Sequence, residues 1–88
     1  MLYPNQFKRD YKLAGRQGRN LALLHEIIEK LAEGGHIEAK YRNHRLSGSM
    51  KGYRELHIQP DWLLIYQIRE GEDELILLRM GSHSELFR

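Results

Sequence analysis

Three of the five histidines in this 88-residue chain lie near other groups able to work on a phosphate ester. His57 is followed by Asp61 across Pro60, His83 comes shortly after Arg79, and His44 sits among basic residues. Cutting RNA through its own 2′-hydroxyl needs such a set. A base must take the hydroxyl proton, an acid must protonate the departing 5′-oxygen, and a cation must offset charge on the five-coordinate phosphorus. Histidine serves either proton role because its unperturbed pKa is about 6.5. Arginine supplies an always-charged planar fork. Asp61 is placed to orient a histidine or to act as the base. Trp62 and Phe87 offer flat surfaces on which unpaired bases stack. Arg79 is the one cation in an otherwise apolar run, Leu75–Met80, and burying it without a purpose would be costly. His25 and His36 read as surface residues.

Charge distribution points the same way. From Lys40 to Arg54 there are five cations (Lys40, Arg42, Arg45, Lys51, Arg54) and no acid, while Glu70, Glu72, Asp73 and Glu74 cluster later. A local cationic run of this kind suits a phosphate backbone, although the net charge is only +2. A histidine–carboxylate group can also hold zinc, but positions 44, 57, 61 and 83 match no compact ligand spacing, so no metal is expected. There is no glycine-rich phosphate loop and no serine triad.

These side chains need a scaffold, and the length fits one domain spanning residues 1–88. With 41% hydrophobic and 30% charged residues the composition is that of a globular chain. The absence of cysteine rules out disulfides and thiolate metal sites and suits a reducing cytoplasm. Trp62–Tyr66 is the longest apolar run, far short of the ~20 residues that span a bilayer. Met1–Asn5 lacks the order of a secretory signal, so neither membrane nor export is expected.

Residues 5–18 predict a first helix with Phe7, Tyr11 and Ala14 on one face and Asn5 as its cap. A second helix is capped by Asn20, carries Leu24, Ile27, Ile28 and Leu31 as its stripe, and stops at Gly34-Gly35. Tyr53–Ile58 alternates, with Tyr53, Glu55 and His57 opposite Arg54, Leu56 and Ile58. Pro60-Asp61 turns the chain into a central strand, Trp62–Arg69. Residues 70–73 turn it again into Leu75–Met80. Residues 35–52 form a long irregular loop, of the kind that is usually functional or disordered. Ser82 and Glu85 fit a capping box that starts a short terminal helix. The fold class is therefore α+β: two N-terminal helices on one face of a small antiparallel sheet. The sheet is a three-strand meander with a possible short strand at Met1–Tyr3, followed by a C-terminal helical turn. In that arrangement His57, Asp61, Trp62, Arg79 and His83 meet at one sheet edge, with the His44 loop folded over them.

Two blocks carry a resemblance. The segment from Asn43-His44-Arg45-Leu46-Ser47-Gly48-Ser49-Met50-Lys51-Gly52-Tyr53-Arg54 through Glu55-Leu56-His57-Ile58-Gln59-Pro60-Asp61-Trp62-Leu63-Leu64-Ile65-Tyr66 resembles the central block of YafQ-type toxins. These belong to the RelE/ParE-like superfamily of bacterial toxin–antitoxin modules. Arg79-Met80-Gly81-Ser82-His83-Ser84-Glu85-Leu86-Phe87 resembles their C-terminal block. The resemblance implies a RelE-like fold and a ribosome-dependent endonuclease cutting messenger RNA in the ribosomal A site, without metal or other cofactor. It also implies inhibition by a cognate antitoxin in a hetero-oligomeric complex. Matched one by one, the family's loop and strand histidines fall on His44 and His57, its turn aspartate and following tryptophan on Asp61 and Trp62, its strand arginine on Arg79. Its terminal histidine and phenylalanine fall on His83 and Phe87. On this reading Asp61 or His57 is the base, His83 the acid, and Arg79 stabilises the phosphorane. Arg42, Arg45, Lys51 and Arg54 bind backbone phosphate. Many relatives have Asp-His-Pro-Leu where this chain has Asn43-His44-Arg45-Leu46, and often Trp where it has Met50; losing that proline makes the His44 loop less rigid. Two rival readings are a ParE-like toxin that only blocks a protein target such as gyrase, and an inactive member that only binds its antitoxin.

Overall fold

Helix α1 (Asn5–Arg16) forms where Pro4 fixes the backbone at the N-cap, and the Pro4 carbonyl accepts from the amide of Phe7. Asn5 is thus the first helical residue and not the expected cap. In α2 (Leu21–Ala32) the Asn20 side chain does accept from the amide of Leu23, at 3.0 Å. The helix ends where Gly34 turns to a φ of 72°, which a side chain would disfavour. The computed structural model describes residues 1–69, 71 and 74–87; of the turn expected at 70–73 only Gly71 is among them, and Arg88 also lies outside.

The sheet has four antiparallel strands in sequence order: β1 (His44–Arg45), β2 (Arg54–Gln59), β3 (Trp62–Arg69) and β4 (Glu74–Gly81). The meander is as read from the sequence, but its fourth strand comes from the loop expected to be irregular. That loop also holds two short 3-10 turns, Ala39–Tyr41 and Gly48–Met50. The expected N-terminal strand is reduced to one parallel bridge, Leu2 to Ile76 on the outer edge of β4. A short α3 (His83–Leu86) follows β4, with the capping box between Ser82 and Glu85 formed in both directions. Gly81 permits this tight return, since a Cβ there would sit 3.1 Å from Glu85 Oε1 and 3.3 Å from Leu86 Cδ2.

One core fills the space between helices and sheet. Phe7 and Ala14 of α1 and Leu24, Ile27 and Leu31 of α2 pack on Leu56, Ile58, Leu64, Tyr66, Leu75, Leu77 and Met80. Each large side chain so buried contributes about 1.5–3 kcal/mol relative to exposure. Strand alternation then commits the remaining positions to the other face, and the ladder aligns them in rows. His44 pairs with Glu55, Glu55 with Ile65, and Ile65 with Arg79; beside this row, His57 pairs with Leu63 and Leu63 with Gly81. No described helix is long and apolar enough to cross a membrane.

Candidate active site

Three histidines gather on the sheet face away from α1 and α2. Ring centroids run 6.4 Å from His44 to His57, 5.9 Å from His57 to His83, and 6.1 Å from His83 to Phe87. Each ring comes from a different element. His44 is on β1, His57 near the end of β2, and His83 at the first position of α3, with Phe87 one turn later. The turn between β2 and β3 brings Asp61 under α3. Its Oδ1 accepts the backbone N–H of His83 at 3.2 Å and lies 3.6 Å from the His83 Nδ1.

The second carboxylate is Glu55, which the sequence reading placed on the His57 face without assigning it to the site. Glu55 is buried, and its Oε1 stands 3.6 Å from Nε2 of both His44 and His57. A buried carboxylate needs partners, and here the partners are two imidazoles. The signal was available: Glu55 lies two residues before His57 and opposite Leu56 in the strand alternation.

His44 is oriented by strain in its loop. Arg42 adopts a left-handed conformation at φ 49°, uncommon outside glycine, and its carbonyl accepts from His44 Nδ1 at 2.8 Å. A carbonyl only accepts, so Nδ1 carries a hydrogen and Nε2 is the ring atom that faces Glu55. Between them, Asn43 Oδ1 accepts from Arg54 Nε at 3.1 Å and the Tyr66 hydroxyl at 2.8 Å. The loop is thereby tied down without the proline found in many relatives.

Other expected site residues separate. Trp62 is 1% exposed, packed in the core with Arg19 stacked 5.7 Å over its ring, so it offers no surface to a base. This corrects the expectation of a stacking role: the first residue of β3 points to the helices. Phe87 is the opposite case, 44% exposed beside His83. The cations divide into two groups. Arg42, with Lys40, lines a cleft of about 460 Å³ that reaches His57. Arg45 and Arg54 stand opposite each other on the reverse side of the ladder, and with Lys51 they line a separate cleft of about 610 Å³. Arg79 is held by Asp10 of α1, with Nε 2.8 Å from Oδ2. The amides at the start of α3 are already used: those of Ser82, His83 and Glu85 donate to Glu85, Asp61 and Ser82. Among the described residues no three His, Cys, Asp or Glu are grouped to hold a metal ion.

His57 and His83 stand beside the carboxylates Glu55 and Asp61 with their rings 5.9 Å apart, an arrangement chemically able to pass protons. Known proteins resemble this chain over nearly its full length. The mRNA interferase toxin YafQ of Escherichia coli K12 is 37% identical over 87 residues, covering 97% of this chain and 91% of that protein. The fold superposes on the E. coli DinJ-YafQ complex with a TM-score of 0.90 at 35% identity, covering 99% and 96% of the two chains. It superposes equally, at 0.90 and 42% identity over 99% and 100%, on a metal-bound toxin from Helicobacter pylori. The profile of YafQ, bacterial toxin of type II toxin–antitoxin systems, matches residues 1–88, and this chain belongs to that family.

Proposed function

We propose that this toxin is an mRNA interferase that cleaves by attack of a ribose 2′-hydroxyl on the adjacent phosphate, with His57 as base and His83 as acid. The observation carrying this reading is the pair of histidine–carboxylate couples, His57 with Glu55 and His83 with Asp61, with rings 5.9 Å apart. Attack and departure occur on opposite sides of phosphorus, so the two proton transfers need two side chains with a phosphate's width between them. Asp61 touches both the backbone and the ring of His83, which favours a supporting role for it over service as the base. Glu55 does the same for His57 and His44. Neither carboxylate takes the proton finally; each favours the imidazolium that forms during the step.

Arg79 begins on the same face, in the Glu55 row, and offsets the charge of the phosphorane. Phe87 stacks a base beside the cut. Arg42 binds phosphate next to His57, whereas Arg45, Lys51 and Arg54 hold backbone farther from the scissile bond. The cognate partner is an antitoxin, as DinJ is for the E. coli toxin. Action on ribosome-bound messenger RNA would be cytoplasmic. A toxin that only blocked a protein target would need no proton-transfer pair.

The test is product chemistry. Cleavage by this route leaves a 2′,3′-cyclic phosphate and a 5′-hydroxyl, and a 2′-deoxy residue at the cut position abolishes it. Because a metal-bound relative is known, free RNA is cut at high toxin concentration in EDTA, where ribosomal magnesium does not intrude. Full activity is expected; loss in EDTA with restoration by zinc overturns the metal-free route.

A further inference from the structure

Asp10 is a charged residue on the buried side of an N-terminal helix, far in sequence from every site residue. It is 7% exposed, and each of its carboxylate oxygens accepts two hydrogen bonds. Oδ1 takes Gln6 Nε2 at 3.1 Å and Arg79 Nη2 at 3.3 Å; Oδ2 takes Arg79 Nε at 2.8 Å and the Met80 amide at 3.1 Å. The Met80 amide lies on the outer edge of β4, so Asp10 clamps α1 to that edge and grips Arg79 in one stroke.

The way Arg79 is gripped matters more than the fact of it. A guanidinium has five N–H groups. Asp10 takes the side formed by Nε and Nη2, which leaves both hydrogens of Nη1 and one of Nη2, and these have no other partner among the described residues. The free edge is the end-on fork, the geometry that binds two phosphate oxygens at once. The Arg79 side chain is also 32% exposed, so the grip of Asp10 leaves it partly at the surface. Arg79 shares its row with Glu55, two strands away on the same face. An arginine without its own carboxylate would be drawn to that buried acid and would take it from the histidines.

We propose that Asp10 is the positioning residue for Arg79: it fixes the guanidinium side-on so that its end-on fork meets the scissile phosphate, and it keeps Arg79 off Glu55. This rests on the phosphorane-stabilising role given to Arg79 above. The experiment compares Asp10→Asn, Arg79→Ala and the double variant for melting temperature, and for kcat and KM of cleavage on programmed ribosomes. Asparagine keeps an acceptor for the Met80 amide and removes the charge. Arg79→Ala is expected to lower kcat by about 10²–10³. Asp10→Asn is expected to lower kcat by on the order of 10² through misplacement, with KM within about threefold. The double variant then falls no lower than Arg79→Ala, because Asp10 acts only through the arginine. Millimolar guanidinium rescues Arg79→Ala while Asp10 is present and fails to rescue the double variant.

Outcomes separate cleanly. Wild-type activity in Arg79→Ala removes the role of Arg79, and this inference with it. An impaired Arg79→Ala beside an unimpaired Asp10→Asn, or losses that multiply in the double variant, overturns the positioning role alone. If Asp10→Asn fails to fold, nitrogen-15 spectra of the intact toxin decide. On adding a 2′-deoxy oligonucleotide, the Arg79 Nε–H stays protected and the Nη signals shift; an Nε–H that loses protection, or Nη signals that do not move, overturns the proposal.

Discussion

Truncating Phe87 to alanine separates a site residue from a core residue by the ratio of two losses. The ring is 44% exposed and sits one turn after His83, closing that turn through its amide on the His83 carbonyl at 2.8 Å. Fully burying a phenylalanine is worth about 1.5–3 kcal/mol, so a ring little more than half covered contributes about 1–1.5 kcal/mol. No enclosed cavity remains after its loss, because the ring lies at the surface and the chain end can relax. For a domain of this size that predicts a melting temperature lower by about 5–10 °C. A fully buried phenylalanine would instead cost about 3–5 kcal/mol and bring the chain close to unfolding at working temperature. Stacking on a base is worth about 1–3 kcal/mol, or roughly 5- to 150-fold in cleavage. Calorimetry and single-turnover cleavage at 25 °C measure both quantities on the same sample. A melting shift of about 5–10 °C leaves the folded population essentially complete there, so the loss of cutting cannot come from unfolding. Cutting within twofold of wild type, or a melting temperature that falls by more than about 15 °C, refutes the stacking role.

Replacing His57 by alanine should lower cleavage by roughly 10²–10⁴ with circular dichroism unchanged, since the ring belongs to the face opposite the core; a wild-type rate or an unfolded variant counts against its role as base. Trp62→Ala should do the reverse, costing about 3–5 kcal/mol of stability because the ring is 1% exposed, and a stable variant that merely binds RNA less well would restore the stacking reading. Glu85 is held below its ordinary value of 4.5, first by the Ser82 amide and further by Gln17 and Arg19, against the opposing effect of burial. A lowered carboxylate pKa adds stability that is present above 4.5 and disappears as pH falls through the folded-state value. Melting temperatures of wild type and Glu85→Gln, followed from pH 7 downward, should therefore differ most at neutral pH and converge in acid; curves that stay parallel would remove the carboxylate from the cap.

Local signals in the chain determined much of this protein. Helix stripes, the Asn20 cap, the Pro60-Asp61 turn and the Ser82–Glu85 box are written in adjacent residues, because the hydrogen bonds that make them close within a turn. The same local alternation put His57 on the face away from Leu56 and Ile58, and the hairpin brought Asp61 to its end of the sheet. Ladder register and packing decided the rest. Two residues of a loop, His44 and Arg45, become a fourth strand only because β2 offers an unpaired edge. Glu55 joins the site because that pairing sets His44 beside it, and Trp62 leaves the site because the first position of β3 faces the helices. Arg45 and Arg54 fall on the reverse side by the same alternation, which depends on a register that composition does not contain. Asp10 reads locally as a polar residue on an amphipathic helix. Only when α1 is laid along the edge of β4 does its carboxylate meet Arg79, 69 residues away, and acquire a purpose.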